Sequence, residues 1–161
     1  MRGFVESLKH IMLGLAIMPA ILFLYILSVA ALGPAVNDIR AHKIERGFLN
    51  LTLPPQTEMV ETVTFCGNSS GRSNHTEIWG GFVVKSALSE AELARWAETI
   101  TMPHLMLGYK VWSVPEDFEA QEPVLCYYVH FEHFNDATEA EGYYMISSYY
   151  SAVTQHDLRG H

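Results

Sequence analysis

The side chains whose types and spacing could do chemistry are densest at His130-Phe131-Glu132-His133. The flanking run, residues 124–134 (VLCYYVHFEHF), reads as a long apolar strand. In a strand His130 and Glu132 project to one face and His133 to the other. Only two metal ligands then converge, and a third must come from elsewhere, such as His75 or His156. The helical H-E-x-x-H arrangement is absent. Two readings follow: a polar sheet edge, or a metal-binding or enzymatic domain using His130 and Glu132. A Ser or Cys nucleophile needs a base within reach. No G-x-S-x-G occurs, and nothing local ties a Ser to a His and an acid. The segment 67–75 (GNSSGRSNH) lacks the phosphate-cradling G-x-x-x-x-G-K-[ST] pattern and reads as a hairpin connection. No catalytic or cofactor-binding residue is assigned, and no cofactor is implied.

Cys66 and Cys126 are the two cysteines of the chain. Outside the cell they are expected to pair, closing a loop with 59 residues between them. Such a loop falls between the values of about 3 and 4.7 kcal/mol given by chain entropy for shorter and longer loops. Inside the cell they would be two buried apolar thiols. Eight acids and no Lys or Arg lie between Glu116 and Glu141, which reads as a solvated surface or a surface for a divalent cation or basic partner. Three tyrosine pairs (127/128, 143/144, 149/150) are expected to place one ring in the core and one outside.

The element that positions all of this is the stretch from Ile11 to Leu32. It holds no Asp, Glu, Lys, Arg, His, Asn or Gln in 22 residues. As a helix it reaches roughly 33 Å, against a bilayer core of about 30 Å. It is therefore expected to be a transmembrane helix, with Pro19 as a tolerated kink. A cleaved signal peptide is the competing reading, but its apolar region usually runs about 7–15 residues. The expected organisation is a tail at 1–10, the spanning helix at 11–32, a connector at 33–57 and a folded domain at 58–161. Beyond the helix lie 17 acidic and 8 basic residues, a net charge of about −9. That balance repels phosphate backbones and argues against nucleic acid. A short tail and a large acidic domain favour the N-terminus inside and the domain outside the cell membrane.

In the domain, 58–66 and 77–85 read as a hairpin with a long loop. Ser89-Glu90-Ala91-Glu92 is a capping box. It opens a helix to Ile100 whose Leu93, Trp96 and Ile100 share one face. Strands are expected at 109–114, 124–134 and 142–153. The order ββαβββ predicts an α+β fold: an antiparallel sheet with one helix packed on one face. The fold follows an N-terminal transmembrane helix.

The apolar anchor, LPPQTEMVET after it, the glycine-containing turn, WGGFVVKSALSEAEL and the closing DLRGH (Asp157 to His161) together resemble a pattern. It is that of a family of small single-pass membrane-anchored proteins of Gram-positive bacteria with no assigned function. The resemblance implies a shared fold and an extracytoplasmic place, and it carries over no catalytic residue. The resulting expectation is a membrane-tethered binding or envelope-associated module with an unidentified protein or envelope partner.

Overall fold

A computed structural model describes residues 2–69, 75–135, 141–150, 157 and 159. Helix α1 (Arg2–Leu27) carries the apolar stretch and tolerates Pro19 inside it. The chain then makes a π-helical turn, Ser28–Leu32, before α2 (Gly33–Leu49). Pro34 explains the wide turn. It has no N–H, and its ring would strike the carbonyl one normal turn back. Opening the turn lets the Gly33 N–H bond Ser28 O instead. The helix thus runs on through most of the segment 33–57 expected as a connector, and ends at Leu49, ahead of Pro54-Pro55.

A four-stranded antiparallel sheet follows, in the order β1-β2-β4-β3. Its strands are β1 (Thr57–Gly67), β2 (Glu77–Ser86), β3 (Lys110–Trp112) and β4 (Tyr143–Tyr150). β1 and β2 form the expected hairpin, with Cys66 opposite Ile78 and Thr57 opposite Ser86. β2 and β4 are central, and their residues are buried on both faces. One face (Ile78, Phe82, Val84, Ile146, Tyr150) is covered by Ala41, Ile44 and Phe48 of α2 and by α3 (Glu90–Ala97). The other (Trp79, Val83, Trp112, Met145) is covered by α4 (Pro115–Gln121), α5 (Pro123–Tyr128) and α6 (Glu132–Asn135).

The fold is α+β, with an N-terminal apolar helix and an antiparallel sheet as expected. Two finer expectations are corrected. The single covering helix becomes helices on both faces, because β2 and β4 carry large apolar side chains to both sides. The expected strand at 124–134 is helical instead. Pro115 and Pro123 sit in the first turns of α4 and α5, where the missing N–H costs nothing. Leu125 of α5 and Val129, the extended residue that ends it, are buried, while Tyr127 and Tyr128 stay exposed.

The capping box forms as the sequence predicts. The Ser89 N–H donates to Glu92 Oε2 at 2.8 Å, and these bonds hold the Glu92 carboxyl below its ordinary pKa. The helix it opens ends at Ala97 rather than Ile100. Leu93, Ala97 and Ile100 are buried, while Trp96 is half-buried, edge-on to Phe82. Gly80 is where α2 comes closest to the sheet. A Cβ there would lie 3.0 Å from the Phe48 ring and 3.2 Å from Ile44, so the absence of a side chain lets the helix dock.

Candidate functional site

The most connected polar group in the structure ties the end of the chain to the start of α2. Asp157 is fully buried. Its carboxylate accepts from the Asn37 side chain at 2.9 Å and from the Arg159 N–H, Nε and Nη2 at 3.0, 3.0 and 2.7 Å. Arg159 also donates to Asp38 at 2.6 Å and to the Pro34 carbonyl at 3.1 Å, while its own carbonyl accepts from the Asn68 N–H at 3.2 Å. Asp157 and Arg159 thus meet three other segments: the first two turns of α2, the end of β1 and, through Thr76, the residue before β2. Burial alone would raise the Asp157 pKa, but the bonds from Arg159 and Asn37 outweigh it and hold the carboxyl at about 2. The Asp157 bond in turn raises the Arg159 pKa. The pair is therefore ionised throughout the physiological range.

A cleft of about 390 Å³ opens beside this clasp, lined by Asp38, His42, Glu45, Thr64, Cys66 and Arg159. Its nucleophile types are the Cys66 thiol and the Thr64 hydroxyl. Burial pushes the Cys66 thiol up to about 11, so little thiolate exists there at neutral pH. His42 and Glu45, 3.3 Å apart, are an ionisable pair of the cleft.

A second polar group lies on the opposite face. Tyr149 OH donates to Glu122 at 2.9 Å, and Lys110 pairs with the same carboxylate at 3.5 Å. Glu77 takes bonds from Ser69 and from His75, the latter at 2.7 Å. Burial, followed by the Glu122 bond, raises the Tyr149 pKa, so its hydroxyl stays protonated as a donor.

His130 lies in the turn before α6 and Glu132 opens that helix; both are exposed. The two backbone N–H groups of Glu132 and His133 donate to Glu61 of β1 at 3.2 and 3.0 Å. This segment thus docks α6 on the sheet edge. Among the described residues no three His, Cys, Asp or Glu side chains form a group that could hold a metal ion. His75, one suggested third ligand, pairs with Glu77, and His156, the other, lies outside the described residues.

The expected Cys66–Cys126 bridge is not formed, and both are free thiols. The reason is topological. Cys66 packs with the cluster under α2 and α3, whereas Cys126, on α5, packs with the cluster across the sheet. The tyrosine expectation also changes. Tyr143 and Tyr149 pack into one cluster, and Tyr144 and Tyr150 into the other.

Sequence reasoning missed Asn37, Asp38, Asp157 and Arg159 as a group. A lone Asp-x-Arg near the C-terminus carries no spacing signal toward an Asn 120 positions away. Comparison with protein-family models, curated proteins and solved structures gives no match to this chain. What the geometry defines is an α+β domain whose first core helix continues directly from an exposed apolar helix.

Proposed function

We propose that the protein is a membrane-tethered extracytoplasmic domain that serves as a binding or envelope-associated module. One observation carries this reading. Among the described residues one helix, Lys9–Leu49, is long and apolar enough to cross a membrane, and none of its most apolar window is buried. Its side chains from Ile11 to Leu27 are about half exposed or more, so they have no protein core to enter. The same helix then enters the domain core through Ala41, Ile44 and Phe48, so tether and domain are joined without a flexible linker. The free thiols fit either side of a membrane. The N-inside orientation rests on the ten-residue tail and the acidic domain. On this reading the protein stands with the small single-pass proteins of Gram-positive bacteria that its sequence resembles. A binding role is preferred because the most extensive polar group described, Asn37–Asp157–Arg159–Asp38, joins segments of the chain to one another.

Two measurements test it. Intact mass of protein extracted from membranes must include residues 1–32; a mature chain starting near Ala31 would replace the anchor with a signal peptide. A cysteine introduced in the 67–75 loop must label with a membrane-impermeant maleimide in intact cells. Labelling confined to permeabilised cells reverses the orientation.

A further inference from the structure

The flank of α2 beside the loop that follows α3 has an unusual composition. Val36, Arg40, Lys43 and Gly47, at spacings of four, three and four, share that flank. The Met102 thioether lies against Gly47, and Arg40, Lys43, Ile44, Met102, Pro103 and His104 line a cleft of about 350 Å³. From there the loop is pinned to the end of β4. The Met106 N–H donates to Tyr149 O at 2.9 Å, and Ser148 Oγ donates to Leu107 O at 2.7 Å. So anchored, the loop still leaves Met106 and Leu107 each 51% exposed, and Ile39 on the helix is 58% exposed. Apolar side chains held out by a fixed backbone, on a loop whose Met102 to His104 share a cleft with Arg40 and Lys43, form a surface that fits an anionic, amphiphilic partner.

We infer that the membrane-proximal part of this flank, around Arg40, and the loop carrying Met106 and Leu107 face the phospholipid headgroups of the leaflet from which the domain emerges. The inference rests on the membrane-tether reading. Continuity supports it, because α2 is the direct extension of the apolar helix. Arg40 stands about 12 Å of helix beyond Leu32. The headgroup layer adds about 5–8 Å on each side of the hydrocarbon. An extended Arg40 side chain, helped by the tilt of about 20° usual for spanning helices, covers the difference, and Lys43, about 16 Å of helix beyond Leu32, acts through the field of the leaflet, within about a Debye length of the surface. Charge supports it too. The opposite layer, α4 to α6, carries Glu116, Asp117, Glu119, Glu122 and Glu132 and no Lys or Arg. An anionic leaflet therefore attracts one side of the domain and repels the other.

Photolabelling of the full chain in phosphatidylcholine–phosphatidylglycerol vesicles tests this. One preparation carries a trace of lipid with a diazirine at the headgroup, and another carries the diazirine at the acyl-chain end. Adducts are mapped by mass spectrometry. The acyl probe is expected on residues 11–32. The headgroup probe is expected on the Met106–Leu107 peptide severalfold above the Tyr127–Tyr128 peptide. The Arg40→Gln/Lys43→Gln variant should lose that excess, by about fivefold per cation removed. Raising the salt concentration on the unaltered chain should shrink the excess in the same direction, whether or not the variant folds. Acyl adducts on 11–32 with equal headgroup labelling of the two peptides would refute the docked flank and leave the tether standing. No acyl adducts on 11–32 would remove the tether and this inference together. Labelling of the loop that ignores both salt and phosphatidylglycerol content overturns the electrostatic part.

Discussion

Asp157→Asn keeps the size of a fully buried side chain and removes its charge. In the native fold that carboxyl has a pKa of about 2, against its ordinary 3.8. The difference corresponds to about 2 kcal/mol of stabilisation of the charged form. Removing one partner of a buried pair costs about 3–5 kcal/mol when the other is stranded. Arg159 is not stranded: its side chain is 37% exposed, and it keeps Asp38. The expected loss is therefore about 2–3 kcal/mol, toward the lower of the two figures. Urea unfolding of the full chain in nanodiscs, followed by the fluorescence of buried Trp79 and Trp112, measures it. The dependence on pH has a definite sign. The folded pKa lies below the unfolded one, so the contribution is complete above about 3.8 and disappears as pH falls through about 2. The gap between native and variant chains should be widest at neutral pH and close over that window. A gap under about 0.5 kcal/mol at neutral pH, the range of ordinary surface changes, would refute the buried clasp. A gap that persists unchanged at the acid end would refute its electrostatic origin.

Gly80→Val places branched carbons where Phe48 and Ile44 already sit, and should cost about 1–3 kcal/mol; a thermal midpoint equal to the native one would mean α2 does not dock there. Both thiols should alkylate in denaturant without reductant, and native Cys66 should react slowly at neutral pH and faster as pH rises toward its pKa of about 11. A disulfide in the intact mass would contradict the opposite-face placement. Glu61→Gln weakens the acceptor that holds the first turn of α6, so amide exchange at Glu132 and His133 should quicken while exchange in β2 stays as it was. Uniform exchange across both would show that Glu61 holds the whole fold rather than this one turn.

Some of this protein was written in local sequence. The apolar stretch 11–32 needs no partner to become a helix, since its own backbone bonds suffice. The capping box closes within four residues, and the hairpin strands β1 and β2 carry β-forming residues along their lengths. One further signal was present in the sequence: Ile78 to Val84 is apolar without alternation, the mark of a strand covered on both faces. That run placed β2, rather than 124–134, at the centre of the sheet. The segment 124–134 misled because its tyrosines and valines favour strands, whereas Pro123 opens a short helix there whose buried residue is Leu125.

What only the tertiary structure decided are pairings between residues far apart in the chain. Asn37 meets Asp157, Glu61 meets the start of α6, and Cys66 is kept from Cys126 by the thickness of the sheet. Each depends on which strand neighbours which and which face a side chain takes. A strand's period of two fixes faces only once the register is known, and the register comes from the packed sheet. The docking of α2 is the same kind of fact. Phe48 and Gly80 fit only because the helix that leaves the apolar stretch turns its buried face to β2, and nothing within either segment specifies the other.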